Sequence, residues 1–503
     1  MSLAGLDVGT STCKGLLFSA GGRRLAAAHV EYPLSFPQVG WVELDADLVW
    51  QGVQTILGRL AHRAAEIGDP LRAVAFSASG DEAVPVDTTG RVLDSCIMSM
   101  DSRTADLVAW WDSEIGGERV HELTGLPLAP NWPLLRLMWL RSHKPQVFSA
   151  ASQMLCWEDL MLARLTGQAV TDHSLASRTM AFDIRRREWS KEILDRALIP
   201  STMFPRSVPP GTVVGEVSAA KAGQLGLNRG VLVVAGGFDQ AMAALGAGLL
   251  TPGDAVVGTG TWEALTVLTP SPTVTALLRA GGYSCGCYVA GDAYYCMATN
   301  PGGGSVLRWF RDTFGQQEVE TARQGGTDAF DILLRQLPDG PTGMLVLPHF
   351  EGSYTPWMDP GSAGAIVGLR LSTTKAGFVK ALLEGITFEL MENITRMQAA
   401  GVAVGELRAT GGGARSPVWL QLKADITGRR VTGVAMEEAG CVAAACLAGV
   451  GAGVFRSIEE ALARFVRIAE IYEPRPEVHE AYLGLFARYR GFYEAVRPLV
   501  AGR

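Results

Sequence analysis

The chain opens with alternating apolar and polar segments that predict three short strands followed by a long helix. We predict the strands over residues 3–7, 15–19 and 24–30, with glycine-rich turns between them. Apolar positions then recur at helical spacing over residues 44–67, with Asp45 or Asp47 as the cap, and a continuous apolar run over 71–77 predicts a buried strand. This succession is typical of an α/β protein.

The rest of the chain continues the alternation of strands and helices. We predict strands over 231–234 and 407–410. Helices are predicted over residues 241–249, 373–399, 416–426, 440–449 and, apart from its prolines, 457–500. Each half of the chain is therefore expected to contain a mixed sheet covered by helices.

Two short glycine motifs, half a chain apart, resemble each other. They read Val8-Gly9-Thr10-Ser11-Thr12 and Val257-Gly258-Thr259-Gly260-Thr261. Each lies between two apolar runs, which predicts a strand, a tight turn and a second strand. Backbone N–H groups and hydroxyls at such a tip suit a phosphate. The repetition predicts two related lobes with a ligand between them.

The composition limits the classes of function. A chain of 503 residues is long enough for two large domains, and we place their boundary so that residues 1–248 form one lobe and 249–503 the other. A net charge of −7 argues against nucleic acid as a partner. No secretory leader and no run of about 20 lipid-compatible residues is visible, so we expect a cytoplasmic protein without a membrane partner. The eight scattered cysteines are expected to be buried thiols.

Two aspartates are candidates for chemistry. Asp7 ends the first predicted strand, where it is either a ligand of a divalent cation beside the phosphate turn or a turn-forming residue. Asp239 follows Gly236 and Gly237 at the end of a buried strand, the edge of an α/β sheet at which ligands bind. It is either a base that accepts a hydroxyl proton or the cap of the next helix. We interpret the glycines as room for a substrate, and Lys14 as a solvated strand residue.

An ordered set of motifs resembles the FGGY family of carbohydrate kinases over essentially the whole chain. The set comprises residues 7–12, 236–240, 258–261 and 411–416, with further matches at 165–177, 348–369, 381–385 and 419–425. The resemblance implies an actin-like (ribonuclease H-like) two-lobed ATPase fold, with duplicated α/β lobes and a cleft between them. It also implies transfer of the γ-phosphoryl group of Mg-ATP to a hydroxyl of a sugar or polyol.

By this resemblance, the N-terminal lobe binds the sugar and supplies the base, and the C-terminal lobe binds the nucleotide. Asp239 is the expected catalytic base, and Asp7 and Asp239 are the expected Mg²⁺ site. The residues expected to line ATP are Gly9, Thr10, Ser11, Thr12, Gly258, Thr259, Gly260, Thr261, Gly304, Ser305, Gly411, Gly412 and Gly413. For Gly304 and Ser305, the alternative to nucleotide binding is a glycine-rich loop before a helix. The three glycines at 411–413 are expected to approach the adenosine.

The expected sugar site departs from the family pattern. The residues expected to bind the acceptor are Ser79, Gly80, Asp81, Asp101, Arg103, Trp132, Asp239 and Gln240. Asp81 stands where pentulose kinases carry His and glycerol kinases an acid; it either accepts hydroxyl hydrogen bonds or forms an Asx turn. Ser99 replaces the usual Trp and Arg136 the usual Lys, while Trp132 is either a wall over the sugar or a core residue.

The resemblance leaves several functions open. The first expectation is a kinase for a small sugar, foremost a pentulose such as xylulose, although the departures weaken the case for xylulose itself. The alternatives are a polyol kinase for glycerol, a tetritol or a pentitol, and a non-catalytic actin-like nucleotide sensor. A homodimer is compatible with the family, but no stretch of the sequence identifies an interface.

Overall fold

The computed structural model describes residues 1–435 and 438–500, and it contains two large mixed sheets. The N-terminal sheet has the strand order β5-β6-β4-β1-β2-β3. Its strands are β1 Ser2–Val8, β2 Thr12–Ser19, β3 Arg24–Glu31, β4 Leu71–Ala78, β5 Val213–Glu216 and β6 Leu232–Phe238. The predicted opening hairpins and the buried strand after the first long helix are thereby confirmed.

The C-terminal sheet has the order β9-β10-β8-β7-β11-β12-β13. Its strands are β7 Ala255–Thr259, β8 Glu263–Thr269, β9 Ser284–Cys287, β10 Tyr294–Asn300, β11 Leu407–Thr410, β12 Val431–Val434 and β13 Ile468–Tyr472. Strand β13 corrects the sequence analysis, which predicted residues 457–500 as helical apart from prolines. Its residues are mostly exposed and it pairs only with β12, so its strand conformation depends on a partner that local sequence does not reveal.

The two sheets share one strand order, which confirms the predicted duplication. In each sheet a hairpin, β1-β2 or β7-β8, is extended on one side by an antiparallel strand. On the other side two parallel strands follow, β4-β6 or β11-β12, and an antiparallel strand closes the edge. Strand β9 has no counterpart in the N-terminal sheet.

Helices cover both sheets and fill the segments between the strands. The first long helix begins after Asp45, whose side chain accepts the N–H of Asp47. The α-helices are α1 Ala46–Glu66, α2 Ala105–Glu114, α3 Gly117–Thr124, α4 Pro133–His143, α5 Pro145–Ala150, α6 Trp157–Thr166, α7 His173–Ala176, α8 Lys191–Ala197, α9 Ala219–Leu225, α10 Asp239–Gly246, α11 Ala276–Ala280, α12 Gly304–Phe314, α13 Gln316–Gly325, α14 Ala329–Leu334, α15 Lys375–Ala399, α16 Pro417–Thr427, α17 Ala439–Gly451, α18 Ile458–Phe465, α19 Pro476–Tyr489 and α20 Phe492–Val500.

Short strand pairs and two 3₁₀ turns complete the description. The pairs are Glu43–Leu44 with Cys96–Ile97, Ala83–Val86 with Gln153–Cys156, Val170–Asp172 with Arg206–Val208, Phe182–Asp183 with Glu188–Trp189, and Leu345–Leu347 with Ala365–Val367. The 3₁₀ turns are Ser201–Met203 and Gly412–Arg415. All eight cysteines are buried and free, as predicted.

Helix α17 links the C-terminal part of the chain to the N-terminal sheet. It packs on β1, β4 and β6 and against α10, and its apolar residues belong to the core of that sheet. The contact is so close that a Cβ at Gly5 of β1 would collide with the carbonyl oxygen of Cys441. The small residues predicted as a packed helix over 440–449 therefore let α17 lie directly on the sheet. This brings its first turn to the end of β1.

Candidate active site

Asp7 and Asp239 lie at the same edge of the N-terminal sheet. Strand β4 runs between β1 and β6 and is parallel to both, and its residue Ser77 is in register with Asp7 on one side and Gly237 on the other. Asp239 follows directly after β6, as the first residue of α10. The two aspartates therefore meet at the carboxyl ends of the parallel strands, where α/β sheets bind their ligands.

Burial raises the pKa of both aspartates, and neighbouring carboxylates add to the shift of Asp239. Burial raises the pKa of Asp239 well above its usual range, and the negative charges of Asp7, Glu82 and Asp81 raise it further. Burial also raises the pKa of Asp7, although the hydroxyl of Ser77 donates to its Oδ1 at 2.5 Å and opposes the shift. Such a collection of acids at one cleft edge is characteristic of a functional site.

The structure contradicts both alternative roles of these aspartates. The helix-capping position before α10 is Phe238, whose side chain forms no capping hydrogen bond, and Asp239 is the first helical residue rather than the cap. Asp7 lies within β1 and forms no turn. Lys14, opposite Asp7 across the hairpin, is partly exposed, and its ammonium group pairs with Glu438 at 2.8 Å, just before α17.

The glycines before Asp239 serve the protein rather than a substrate, which corrects the prediction. A Cβ at Gly236 would collide with the carbonyl oxygen of Phe76, and one at Gly237 would lie 2.6 Å from Ser174 Oγ. Strand β6 is irregular here, so its N–H groups take side-chain partners. Glu158 accepts the N–H of Gly236, and Ser174 accepts that of Phe238 at 2.9 Å. These bonds fix the strand end that carries Asp239.

The expected acceptor loop, residues 79–82, is held by ion pairs and hydrogen bonds. Asp81 pairs with Arg178 at 2.8 Å and accepts from Asn131 at 2.8 Å. These long-range partners contradict an Asx turn, in which the carboxylate would bind its own backbone. Ser79 donates its hydroxyl to Glu82, so both side chains are engaged within the loop. Gln240 is half-buried in the first turn of α10.

Three residues predicted to bind the acceptor are instead buried in the protein. Asp101 accepts from the N–H of Val42 at 2.6 Å and from Arg103 at 2.7 Å. The Arg103 side chain is 1% exposed and stacks 3.7 Å from the ring centre of Trp41. Trp132 is buried and donates its indole N–H to the carbonyl of Pro127 at 2.8 Å, which supports the core alternative. The structure thus places all three side chains in the protein interior, with protein partners.

The two predicted phosphate turns are present as hairpin tips. In the first, the N–H of Gly9 donates to the carbonyl of Thr12 at 2.9 Å and Ser11 is exposed. In the second, the N–H of Gly260 donates to the carbonyl of Trp262 at 2.9 Å, and both Gly260 and Thr261 are exposed. The tips occupy equivalent places in the two sheets, because β1-β2 and β7-β8 correspond in strand order.

Thr259 differs from the prediction, because its side chain is turned into the protein. It is 2% exposed, donates its hydroxyl to Glu263 at 2.7 Å and accepts from Lys423 at 3.1 Å. Lys423 and Glu263 also form an ion pair and are almost completely buried. The Thr259 hydroxyl therefore cannot bind a phosphate in this arrangement. Its role is to join the hairpin to α16.

The glycines at 411–413 divide into two kinds. A Cβ at Gly411 would lie 2.6 Å from the carbonyl oxygen of Thr259, and one at Gly413 would lie 2.7 Å from Thr259 Cβ. These two allow the loop to approach the hairpin. Gly412 is exposed, and its Cβ would meet nothing nearer than 4.0 Å. Gly411 is also exposed, whereas Gly413 is buried.

The start of α12 lies against the second hairpin. The N–H of Gly304 donates to the carbonyl of Gly260 at 2.8 Å, and that of Ser305 donates to Thr261 at 3.1 Å. The Ser305 hydroxyl donates to the carbonyl of Pro301 at 2.9 Å. The alternative of a glycine-rich loop before a helix is therefore correct for the local structure. The contact nevertheless places the positive end of the helix dipole beside the hairpin tip.

Comparison with known proteins assigns the chain. Residues 2–246 match the N-terminal domain of the FGGY family of carbohydrate kinases, and residues 255–452 match its C-terminal domain. The chain belongs to the FGGY family. It is thus a phosphotransferase with an alcohol group as acceptor, and the actin-like two-lobed fold expected from the motifs is confirmed.

The relatives of this FGGY kinase act on more than one kind of sugar. It is 28% identical over 496 residues to the xylulose kinase of Bacillus subtilis, covering 98% of this chain and 97% of the relative. It is also 28% identical over 453 residues to the gluconokinase of that organism, covering 89% and 87%. The crystal structure of xylulose kinase from Rhodospirillum rubrum superposes with a TM-score of 0.89 at 27% identity, covering 99% of this chain and 100% of that one.

Two buried cations of this FGGY kinase were missed by the sequence analysis. Arg178 pairs with Asp81, and Lys423 pairs with Glu263. The available signal was a basic residue inside an otherwise buried segment, since such residues are rarely buried unless paired.

Among the helices of residues 1–435 and 438–500, none combines the length and the apolar character that a membrane span requires.

Proposed function

We propose that this FGGY kinase transfers the γ-phosphoryl group of ATP to a hydroxyl of a small sugar, foremost a pentulose such as xylulose. The observation that carries the proposal is the meeting of Asp7 and Asp239 at one sheet edge, with Asp239 in the first helical position rather than at the cap. The raised pKa of Asp239 suits a base that takes a proton from the acceptor hydroxyl as phosphoryl transfer proceeds.

The residues present fit a magnesium ion beside the phosphates. Within the described part of the chain, no group of three or more His, Cys, Asp or Glu side chains is arranged to hold a metal ion by itself. Asp7 and Asp239 offer two carboxylates that repel each other, and the ammonium group of Lys14 is shared with Glu438. Mg²⁺ is commonly bound by one or two carboxylates, with phosphate oxygens and water completing its shell. When bound, it neutralises charge on the phosphates.

The chain's own residues would bind and orient ATP mainly from the C-terminal lobe, residues 249–503, with the first hairpin tip of the N-terminal lobe facing the phosphates. Backbone N–H groups at the hairpin tips, those of Thr10, Ser11 and Thr261, suit phosphate oxygens, because the N–H groups of Gly9 and Gly260 already close the turns. The N-terminus of α12 adds a favourable dipole beside the second tip. Gly412 leaves an open face for the nucleoside. Residues 1–248 would hold the acceptor and the base.

The acceptor class rests on similarity and on one carboxylate. Three further xylulose kinase relatives, from Staphylococcus epidermidis and Lactococcus lactis, share 27–28% identity over at least 97% of this chain. Asp81, where pentulose kinases carry a histidine, accepts hydrogen bonds and cannot donate them when ionised. A polyol, which presents a hydroxyl on every carbon, is therefore the second candidate acceptor.

A panel of acceptors tests the proposal. The protein is incubated with Mg-ATP and pentuloses, pentitols, tetritols or glycerol, and ADP release is followed by a coupled assay. We expect at least one compound to raise ADP release well above the rate without acceptor, and xylulose to be among the best. If no compound does so, the proposal of sugar phosphorylation is wrong.

A further inference from the structure

Arg178 is a buried arginine at the acceptor end of the site. It is 4% exposed, its Nε donates to Asp81 Oδ1 at 2.9 Å and its Nη2 donates to Oδ2 at 3.2 Å. The guanidinium lies 4.8 Å from the ring centre of Trp132 and 4.6 Å from that of Phe238. A planar, two-pronged donor between two rings fixes both the place and the direction of the carboxylate.

The same pair is attached to the strand that carries the base. Phe238 directly precedes Asp239, so the ring under the guanidinium belongs to the end of β6. A Cβ at Gly80 would lie 2.6 Å from Phe238 Cδ2 and 2.8 Å from Arg178 Cγ, so only glycine allows the loop to lie this close. The acceptor loop, the arginine and the base strand are packed as one unit.

Each arginine around this loop donates to a protein oxygen, although within the described residues the buried Arg178 Nη1 and Arg136 Nε have no hydrogen-bond acceptor. The guanidinium of Arg178 pairs with Asp81, and that of Arg136 donates to the carbonyls of Asp81 and, at 3.0 Å, Met98. The third, Arg103, is held in its buried pair with Asp101. The same end of the site also contains four carboxylates that interact electrostatically: Asp7, Asp81, Glu82 and Asp239.

We propose that Arg178 is a specificity-determining residue, which holds Asp81 as a fixed hydrogen-bond acceptor and so selects neutral polyhydroxy compounds over sugar acids. A hydroxyl can donate to Asp81, whereas the carboxylate of an aldonate meets the negative charge of Asp81 and of its neighbouring carboxylates. The inference rests on the proposed function, because it concerns the same acceptor site. Similarity alone leaves the choice open, since one relative is named a gluconokinase.

Matched pairs of acceptors test the inference on the wild-type protein. Xylitol is compared with xylonate, and glucitol with gluconate, by kcat/KM with Mg-ATP and by calorimetric binding. We expect the neutral member to be favoured about 10-fold to 100-fold, the scale of one like-charge interaction over roughly 6–12 Å at an effective dielectric constant of about 20. Equal or better use of the acids would overturn the inference. Absence of turnover with every compound would contradict the proposed function, while the binding preference would still decide the inference.

A charge-neutral variant separates recognition from structural support. Asp81→Asn keeps the shape of the side chain and leaves Arg178 a cation without a counter-charge. We expect the ratio of acid to neutral kcat/KM to rise about 10-fold or more. Equal losses for both classes would show a merely structural pair and overturn the inference.

Two further variants complete the test. Asp87→Asn removes another Asp–Arg contact, with Arg91 at 3.2 Å on an exposed turn of the same lobe, and should leave the ratio unchanged. Arg178→Lys keeps the charge and loses the two-pronged contact, so it decides the matter if Asp81→Asn does not fold. For this variant we expect a lower kcat/KM for neutral acceptors, with sugar acids still disfavoured. A preference for sugar acids in Arg178→Lys would contradict the inference.

Discussion

Replacing Asp239 by asparagine should lower activity and raise stability at the same time. The variant keeps the shape of the side chain and removes both the proton acceptor and one of the four neighbouring negative charges. Loss of a general base lowers turnover by roughly 10²–10⁴-fold. This corresponds to about 3–5 kcal/mol of activation free energy.

The gain in stability follows from the strand spacing. Asp7 and Asp239 are separated by strand β4, so their backbones are about 10 Å apart, or two interstrand distances. Two like charges at that distance repel by about 1.7 kcal/mol at an effective dielectric constant of about 20. We therefore expect Asp239→Asn to raise Tm by about 2–5 °C at pH 8.

The pH dependence of this gain has a definite sign. The pKa of Asp239 is higher in the folded state than its ordinary value of 3.8. Below pH 3.8 the carboxyl is therefore neutral and does not destabilise the fold. The destabilisation develops as pH rises through the folded-state pKa, where the carboxyl becomes charged. The difference in Tm between variant and wild type should therefore shrink toward zero near pH 4.

Scanning calorimetry and a coupled ADP assay measure both effects. Asp292→Asn serves as a matched control, because this aspartate is 98% exposed and should change neither quantity appreciably. Near-normal turnover in Asp239→Asn would remove this residue from the chemistry. A lower Tm at pH 8 would refute the argument from charge repulsion.

Three other outcomes are expected. Glu82→Gln removes a negative neighbour of Asp239 and lowers the pKa of that base, so the acid limb of kcat/KM moves to lower pH; an unmoved limb in a pH–rate profile would contradict this. Lys423→Met leaves its buried glutamate partner unpaired and should cost about 3–5 kcal/mol in the free energy of unfolding, measured with urea; a loss below about 1 kcal/mol would contradict a buried ion pair. Gly411→Ala should destabilise the fold, because Gly411 has a φ of 80° and an added Cβ would collide with the hairpin. Gly412→Ala should fold normally and raise the KM for ATP, and equal Tm values for the two variants would contradict this distinction.

Much of the fold could be predicted because its signals are local. The glycine turns after β1 and β7 and the apolar runs around them specify hairpins by themselves. Strand β13 could not be predicted, because its exposed residues form a strand only by pairing with β12. The glycines before Asp239 were visible in the sequence, but the reason for them was not. Gly236 must lack a side chain because a Cβ there would collide with the carbonyl oxygen of Phe76, a residue 160 positions away in the chain.

The candidate site shows the same division. Its motif residues are visible in the chain, yet burial decides what each side chain does. Asp101 and Trp132 read as ligand contacts and are structural. Arg178 carries no motif signal of its own, and only the meeting of three distant segments makes it the partner of Asp81.

The opening hairpin, the two glycine turns and the position of an aspartate after a buried strand are determined by the sequence itself, because hydrophobic periodicity and turn chemistry act over a few residues. Which carboxylates come together, which cations neutralise them and which glycines remain open are decided by the tertiary structure. Charges interact through space and burial alters their strength, so their partners cannot be inferred from spacing along the chain.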